Sequence, residues 1–125
     1  MSVSDAYKED FSVLSSRERL LYLIELGRDV PDCTSFVGEK ISGCTSDVRI
    51  AISDSSVRVC ANSKVVKGFV KIILDLVESK EIASLDVASF LESTGLGTAT
   101  EMSRSDAFLN VFGAVKESFF KLRSS

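Results

Sequence analysis

The chain has 125 residues, a net charge of -3 and 45% hydrophobic residues, which suits one domain built around a single core. The acidic balance argues against a general nucleic-acid-binding surface. No apolar run is long enough to span a membrane, and the charged first residues lack the apolar segment of a secretory signal. We therefore expect a single domain over residues 1–125, in the cytoplasm or, in a eukaryotic cell, in an organelle.

The chain contains no histidine and three cysteines, Cys33, Cys44 and Cys60. The missing histidine excludes Ser-His-Asp and Cys-His catalysis, and it removes the commonest nitrogen ligand of zinc. The odd number of cysteines leaves at least one thiol unpaired, and in a cytosolic protein we expect all of them to be reduced. A cysteine that does chemistry here therefore lacks a base of its own.

Two helices are predicted at the start of the chain. The first spans about Asp5 to Leu14. Ser15 and Glu18 have the spacing of a capping box, and the strong helix former RERLLYLIEL follows and ends at Gly27. This second helix is apolar around most of its circumference, which predicts a central position in the fold.

The sequence period changes to two after a loop from Pro31 to about Lys40. Residues 48–52 and 57–60 alternate between apolar and other side chains, and the turn signal Asp54-Ser55-Ser56 separates them. This pattern predicts an antiparallel hairpin with one buried face and one face that carries Arg49 and Arg58. Residues around Ile41 are expected to add a short third strand.

A long helix is predicted from Ser63 onward, with an apolar stripe at Val65, Val66, Phe69, Val70, Ile73, Leu76 and Val77. Lys64, Lys67 and Lys71 form a row on its other side, where Lys71 can pair with Asp75. Gly68 is unusual inside a helix, and we expect it to pack closely against the loop of Cys44.

Two more helices complete the predicted fold. A short one around Asp86 to Glu92 ends at Gly95, and GLGTAT forms a loop. Ser103 and Asp106 then have the spacing of a capping box before a last helix that buries Phe108, Phe112, Val115 and Phe119. The order of elements predicts an α+β domain in which helices cover one face of a small antiparallel three-stranded sheet.

The segment ISGCTSDVRI places Cys44 between a glycine and two hydroxyl residues, just before a strand. Gly43 can adopt a positive φ, and Thr45 and Ser46 favour a turn. If Arg49, Arg58 or Arg104 lay nearby, it would favour the thiolate of Cys44. The alternative is that Cys44 is a small buried hydrophobic residue.

The three cysteines together leave two further alternatives open. Cys33, Cys44 and Cys60 could bind a metal with an aspartate as fourth ligand, although the chain lacks the CxxC pairs of structural zinc sites. A Cys33–Cys44 disulfide is possible if their Cα atoms lie within about 7 Å.

Five segments follow one another in order: FSVLSSRERLLYLIELGRDVP, ISGCTSDVRI, VVKGFVKIIL, SLDVASFLESTGL and MSRSDAFLNVFGAVKE. Together they resemble the SufE family of sulfur-acceptor proteins, over nearly the whole length of the chain. The chain departs from the family pattern at Arg49, where a tryptophan is usual, at Asp106-Ala107, at Cys60 and in a shorter loop before Gly43.

The resemblance implies that Cys44 accepts sulfane sulfur as a persulfide, in a loop framed by Gly43, Thr45 and Ser46. It also implies partner-binding or thiolate-supporting roles for Arg104, Lys67 and Arg49. The implied partners are a cysteine desulfurase and a downstream iron–sulfur scaffold, with no nucleic acid and no membrane.

On this interpretation the chain is not an enzyme and needs no cofactor, because the pyridoxal phosphate belongs to the desulfurase. Two rival functions remain at this point. One is a metal- or cluster-binding scaffold that uses all three cysteines. The other is a regulatory module that docks on a desulfurase without moving sulfur.

Overall fold

A computed structural model describes residues 1–96 and 102–124, with the backbone alone for 102–105 and 124. The elements are α1 (Val3–Ser12), α2 (Ser16–Leu26), β1 (Glu39–Lys40), β2 (Val48–Ser53), β3 (Ser56–Ala61), α3 (Lys64–Glu78), a 3₁₀ turn (Glu81–Ala83), α4 (Val87–Thr94) and α5 (Met102–Ser124). The three strands form one antiparallel sheet in the order β1-β2-β3. This confirms the predicted α+β class.

The first two helices begin at serine caps. Ser2 accepts a hydrogen bond from the backbone N–H of Asp5, and α1 lies two residues earlier than predicted. The capping box predicted for α2 is formed: the backbone N–H of Ser15 donates to Glu18 Oε1 (2.9 Å), and that of Glu18 donates to Ser15 Oγ (3.2 Å). Both helix starts thus follow from local sequence.

The predicted central position of α2 is wrong. Within this fully described helix Leu23 is the only buried residue, and Leu21 is 56% exposed. The central helix is α3, which contacts α2, α5 and β3 and buries eight residues, Val65, Val66, Gly68, Phe69, Val70, Ile72, Ile73 and Leu76. An apolar circumference is therefore no guarantee of burial, because α2 packs chiefly against one helix.

Gly68 packs against α2 and not, as predicted, against the loop of Cys44. A Cβ atom added at Gly68 would lie 2.3 Å from the carbonyl oxygen of Leu23. One added at Gly27 would lie 2.4 Å from the backbone nitrogen of Gly68. The two glycines thus allow the backbones of α2 and α3 to touch where the helices meet.

The predicted hairpin is present. Asp54 and Ser55 both have positive φ, 51° and 63°, which is typical of a two-residue type I′ turn, and Ser56 already belongs to β3. The predicted third strand is also present as β1. It ends just before Ile41, whose backbone N–H donates to the carbonyl oxygen of Val48 (2.8 Å).

The second face of the sheet is more covered than the sequence predicts. Arg49 pairs in register with Cys60, and Ala51 with Arg58, so these residues share one face. Cys60 is nevertheless fully buried, and the Arg58 guanidinium lies 5.9 Å from the ring centre of Phe36. Phe36, in the loop between α2 and β1, therefore covers part of this face.

The last two helices complete the core. The short helix predicted around Asp86 to Glu92 is present as α4; Asp86 is its N-cap, and Gly95 ends it, as predicted, with a φ of 73°. The predicted GLGTAT loop lies largely outside the described residues. Because α5 begins at Met102, Ser103 lies inside the helix and not at its N-cap. Among the described side chains of α5, the buried ones are Ala107, Phe108, Val111, Phe112, Val115 and Phe119.

Candidate functional site

Cys44 lies in the loop between β1 and β2, which we call the Cys44 loop (residues 41–47). The loop is held at its base, because Ile41 and Val48 are both buried and their backbones are hydrogen bonded. Cys44 itself is half-buried and packs against the hydrophobic core. Thr45 is exposed and Ser46 half-buried, in the bend that follows. Cys44 thus lies on a short loop whose two ends are held together by the hydrogen bond between Ile41 and Val48.

Gly43 has the positive φ predicted for it, 83°. A Cβ atom placed on this backbone would lie 2.5 Å from Nδ2 and 3.1 Å from Cγ of Asn110, a half-buried residue of α5. Real Cβ atoms do not approach other atoms so closely. Only glycine therefore fits here without a shift, and the Cys44 loop rests on α5.

The electrostatics of Cys44 differ from the sequence expectation. Burial raises the pKa of its thiol above the ordinary value, and the charge of Lys40 offsets this only in part. Lys40 is a cation that lowers this pKa, and the thiolate-supporting role expected for Arg49, Arg58 or Arg104 stays a prediction. At neutral pH Cys44 is mainly a protonated, weakly nucleophilic thiol.

The cations proposed from sequence have other partners. Arg49 Nε lies 3.1 Å from Asp47 Oδ1, and Lys67 Nζ lies 2.5 Å from Asp32 Oδ1. Arg58 lies over the ring of Phe36. The contacts of Lys67 and Arg58 join segments far apart in the sequence, whereas Arg49 and Asp47 are only two residues apart.

Arg104 belongs to α5, but its side chain lies outside the described part of the structure. Its predicted role at the partner-facing surface stays a prediction.

Cys33 and Cys60 form a disulfide, with Cα atoms 5.1 Å apart. This contradicts the Cys33–Cys44 disulfide and the expectation that all three thiols are reduced. It also removes two of the three thiols on which the metal-scaffold alternative depends. Among the described residues, no cluster of three or more acidic, cysteine or histidine side chains could hold a metal.

Hydrogen bonds link the disulfide region to the Cys44 loop. The backbone N–H of Cys33 donates to Asn62 Oδ1 (3.0 Å), and the backbone N–H of Asn62 donates to the carbonyl oxygen of Asp47 (3.1 Å). Asp47 is the last residue of the Cys44 loop. Residues just after β3 therefore brace the base of the loop that carries the free thiol.

A groove runs beside the Cys44 loop, between the sheet edge and α5. It is lined by Glu39, Lys40, Ile41, Ser42, Ile50, Leu109, Asn110, Gly113, Ala114, Glu117, Ser118 and Lys121. Sequence reasoning missed Lys40 and Asn110 as site residues. The only signal for Asn110 was a polar residue beside the apolar stripe of the last helix.

Within the described part of the chain, none of the helices has the length and apolar character that crossing a bilayer requires.

Comparisons with known proteins agree with this architecture. The solution structure of a hypothetical protein from Thermus thermophilus is similar, with a TM-score of 0.73, 18% sequence identity and coverage of 100% of both chains. At this identity the likeness concerns the fold alone. The family model for SufE, the Fe-S metabolism associated domain, matches residues 5–119. Since this match spans most of the chain, the protein belongs to the SufE family, with a role in Fe–S metabolism.

Proposed function

We propose that this protein accepts sulfane sulfur from a cysteine desulfurase onto Cys44, stimulates that desulfurase, and passes the sulfur on for iron–sulfur cluster assembly. One observation carries the proposal: Cys44 is the free cysteine of the chain, on a loop next to a groove, while Cys33 and Cys60 are bonded to each other. Membership of the SufE family supports the same role.

The transfer step is an exchange reaction. The Cys44 thiolate attacks the outer sulfur of a cysteine persulfide on the desulfurase, and the sulfur–sulfur bond of the donor breaks. The donor cysteine leaves as a thiolate, and Cys44 becomes the persulfide. No net oxidation occurs, so neither an oxidant nor a reductant is needed. The proton released by Cys44 ends on the departing donor thiolate or on water.

The raised pKa of Cys44 fits a thiol that is inactive until it meets its partner. The chain has no histidine to act as a base, so deprotonation has to be assisted by the surroundings that Cys44 enters on the desulfurase. The desulfurase also cleaves the carbon–sulfur bond of the substrate cysteine, using its own pyridoxal phosphate. This chain then contributes the acceptor sulfur atom and its presentation.

The proposal is tested by the turnover of a cysteine desulfurase, followed as alanine formation from cysteine. Added wild-type protein should raise the turnover, and Cys44→Ser should abolish the increase while its thermal melt stays near that of the wild type. An equal increase with Cys44→Ser would instead support the regulatory module, which docks on the desulfurase without accepting sulfur.

A further inference from the structure

The structure places one residue of α5 directly against the turn that carries the free thiol. The Asn110 carboxamide lies over Gly43, close enough that a single added carbon at Gly43 would come within 2.5 Å of Nδ2. Gly43 immediately precedes Cys44, and its φ of 83° lies in the left-handed region that favours glycine. A shift of Gly43 away from α5 would therefore move Cys44, the next residue of the chain, with it.

Asn110 also sits between the loop and the groove. It lines the groove together with Lys40, Ile41 and Ser42 from the first half of the Cys44 loop and the strand before it. It is half-buried on α5, next to the fully buried Val111. Because α5 is anchored in the core by Val111 and Phe108, the backbone of Asn110 is held in place beside the loop, and its half-buried carboxamide packs against Gly43.

We propose that Asn110 is a positioning residue that holds Gly43 against α5 and so keeps the Cys44 thiol half-buried until a partner displaces the loop. The consequence for sulfur transfer rests on the proposed function. The proposal that Asn110 sets the exposure of Cys44 is independent of that function.

Asn110 is uncharged, so it can act on the Cys44 loop through packing but not through charge. Asp47 is paired with Arg49, and on α5 Glu117 lies 3.4 Å from Lys121. Among the described side chains, the charge of Lys40 lowers the pKa of the Cys44 thiol. Replacing Asn110 by a smaller residue changes none of these charges. An altered reactivity of Cys44 would therefore report a change in loop position and solvation.

The experiment uses the whole, non-reduced protein and the alkylation rate of Cys44 by iodoacetamide, measured across a range of pH. Cys33 and Cys60 are protected by their disulfide, so the reagent reports on Cys44. In Asn110→Ala we expect alkylation at neutral pH to be at least about threefold faster, because loss of one packing contact raises the population of an open loop. The midpoint of the pH profile should also move down toward that of an unburied thiol.

The matched control is Ser118→Ala, which shortens another polar side chain of α5 that lines the same groove two turns away. Its alkylation rate and pH profile should equal those of the wild type. Asn110→Ser is a second variant for the case in which the alanine variant folds poorly. Rates and pH profiles of both Asn110 variants that match the Ser118→Ala control would overturn the inference.

A second measurement separates this inference from the proposed function. The same variants are given a cysteine desulfurase and cysteine, and the persulfide formed on Cys44 is quantified. Faster alkylation without any persulfide, in the wild type as in the variants, would retain the positioning role of Asn110 and reject the sulfur-acceptor function. Unchanged alkylation with normal persulfide formation would reject the positioning role of Asn110 and retain the sulfur-acceptor function.

Discussion

Cys33 and Cys60 are joined by a disulfide on the face of the sheet that carries Arg49 and Arg58, with their Cα atoms 5.1 Å apart. Cys33 belongs to the loop that covers this face, and Cys60 is a fully buried residue of β3. The bond fixes the covering loop to the sheet, and hydrogen bonds through Asn62 extend this support to the base of the Cys44 loop.

The first prediction concerns this disulfide. Replacing both cysteines, in Cys33→Ala/Cys60→Ala, should lower the free energy of unfolding by about 3 kcal/mol, because a link across 27 residues restricts the unfolded chain. Denaturant unfolding without reductant measures the loss. Reductant should destabilise the wild type by a similar amount and leave the double variant unchanged. Equal stability of wild type and double variant would show that the bond contributes nothing.

The second prediction concerns Gly43. Gly43→Ala should lower the free energy of unfolding by about 1–2 kcal/mol, because an alanine at a φ of 83° is strained. The control is Gly113→Ala on α5, where an added Cβ meets nothing within 4 Å and alanine favours the helix by about 0.5–1 kcal/mol. The two variants should therefore shift the thermal midpoint in opposite directions. A shift in the same direction would contradict the strained geometry of Gly43.

The third prediction concerns the contact between α2 and α3. Gly68→Ala places a Cβ atom 2.3 Å from the backbone carbonyl of Leu23, and backbone atoms cannot move aside cheaply. We expect a loss of about 2–3 kcal/mol in the free energy of unfolding, as for overpacking in a core. Gly113→Ala again serves as the control for glycine replacement within a helix. A neutral effect at Gly68 would mean that the two helices lie farther apart.

The fourth prediction concerns Glu81 and low pH. Its carboxylate accepts hydrogen bonds from the backbone N–H groups of Val3 and Ser4 (2.8 and 3.1 Å) and from the hydroxyl of Ser4 (2.7 Å), at the start of α1. Partial burial raises its pKa, but these bonds and one with Ser79 outweigh that effect and lower the pKa to about 2. The carboxylate therefore stabilises the folded state above its unfolded pKa near 4.5 and loses this effect as the pH falls toward 2.

Glu81→Gln should accordingly lower the free energy of unfolding by about 1–2 kcal/mol at pH 7. This is less than the full pKa shift would give, because solvent screens a half-buried group. The difference from the wild type should shrink between about pH 4.5 and pH 2. Urea unfolding at several pH values measures it, with Glu78→Gln at an exposed site as control. A difference that is constant with pH would reject the ionic role of Glu81.

Local sequence signals predicted much of this fold. The capping box of Ser15 and Glu18, the turn at Asp54, and the apolar stripe of α3 each depend on residues within a few positions of one another, so periodicity and turn chemistry suffice. The burial of α2 was mispredicted because it depends on which neighbours a helix finds, and periodicity does not specify that.

The site was predicted only in part for the same reason. The positive φ of Gly43 follows from a glycine at a bend. The pairing of Cys33 with Cys60, the support from Asn110 and the raised pKa of Cys44 all arise from contacts between distant segments. Cations that looked available in the sequence, such as Arg49 and Lys67, are instead paired with Asp47 and Asp32.

The most direct test of the account is the intact mass of the protein after incubation with a cysteine desulfurase and cysteine. We predict that the wild type gains the mass of one or more sulfur atoms, that peptide mapping places them on Cys44, and that a thiol reductant removes them. Cys44→Ser should gain none. A wild type without added sulfur, or a serine variant that gains as much as the wild type, would contradict the assignment of Cys44 as the sulfur acceptor.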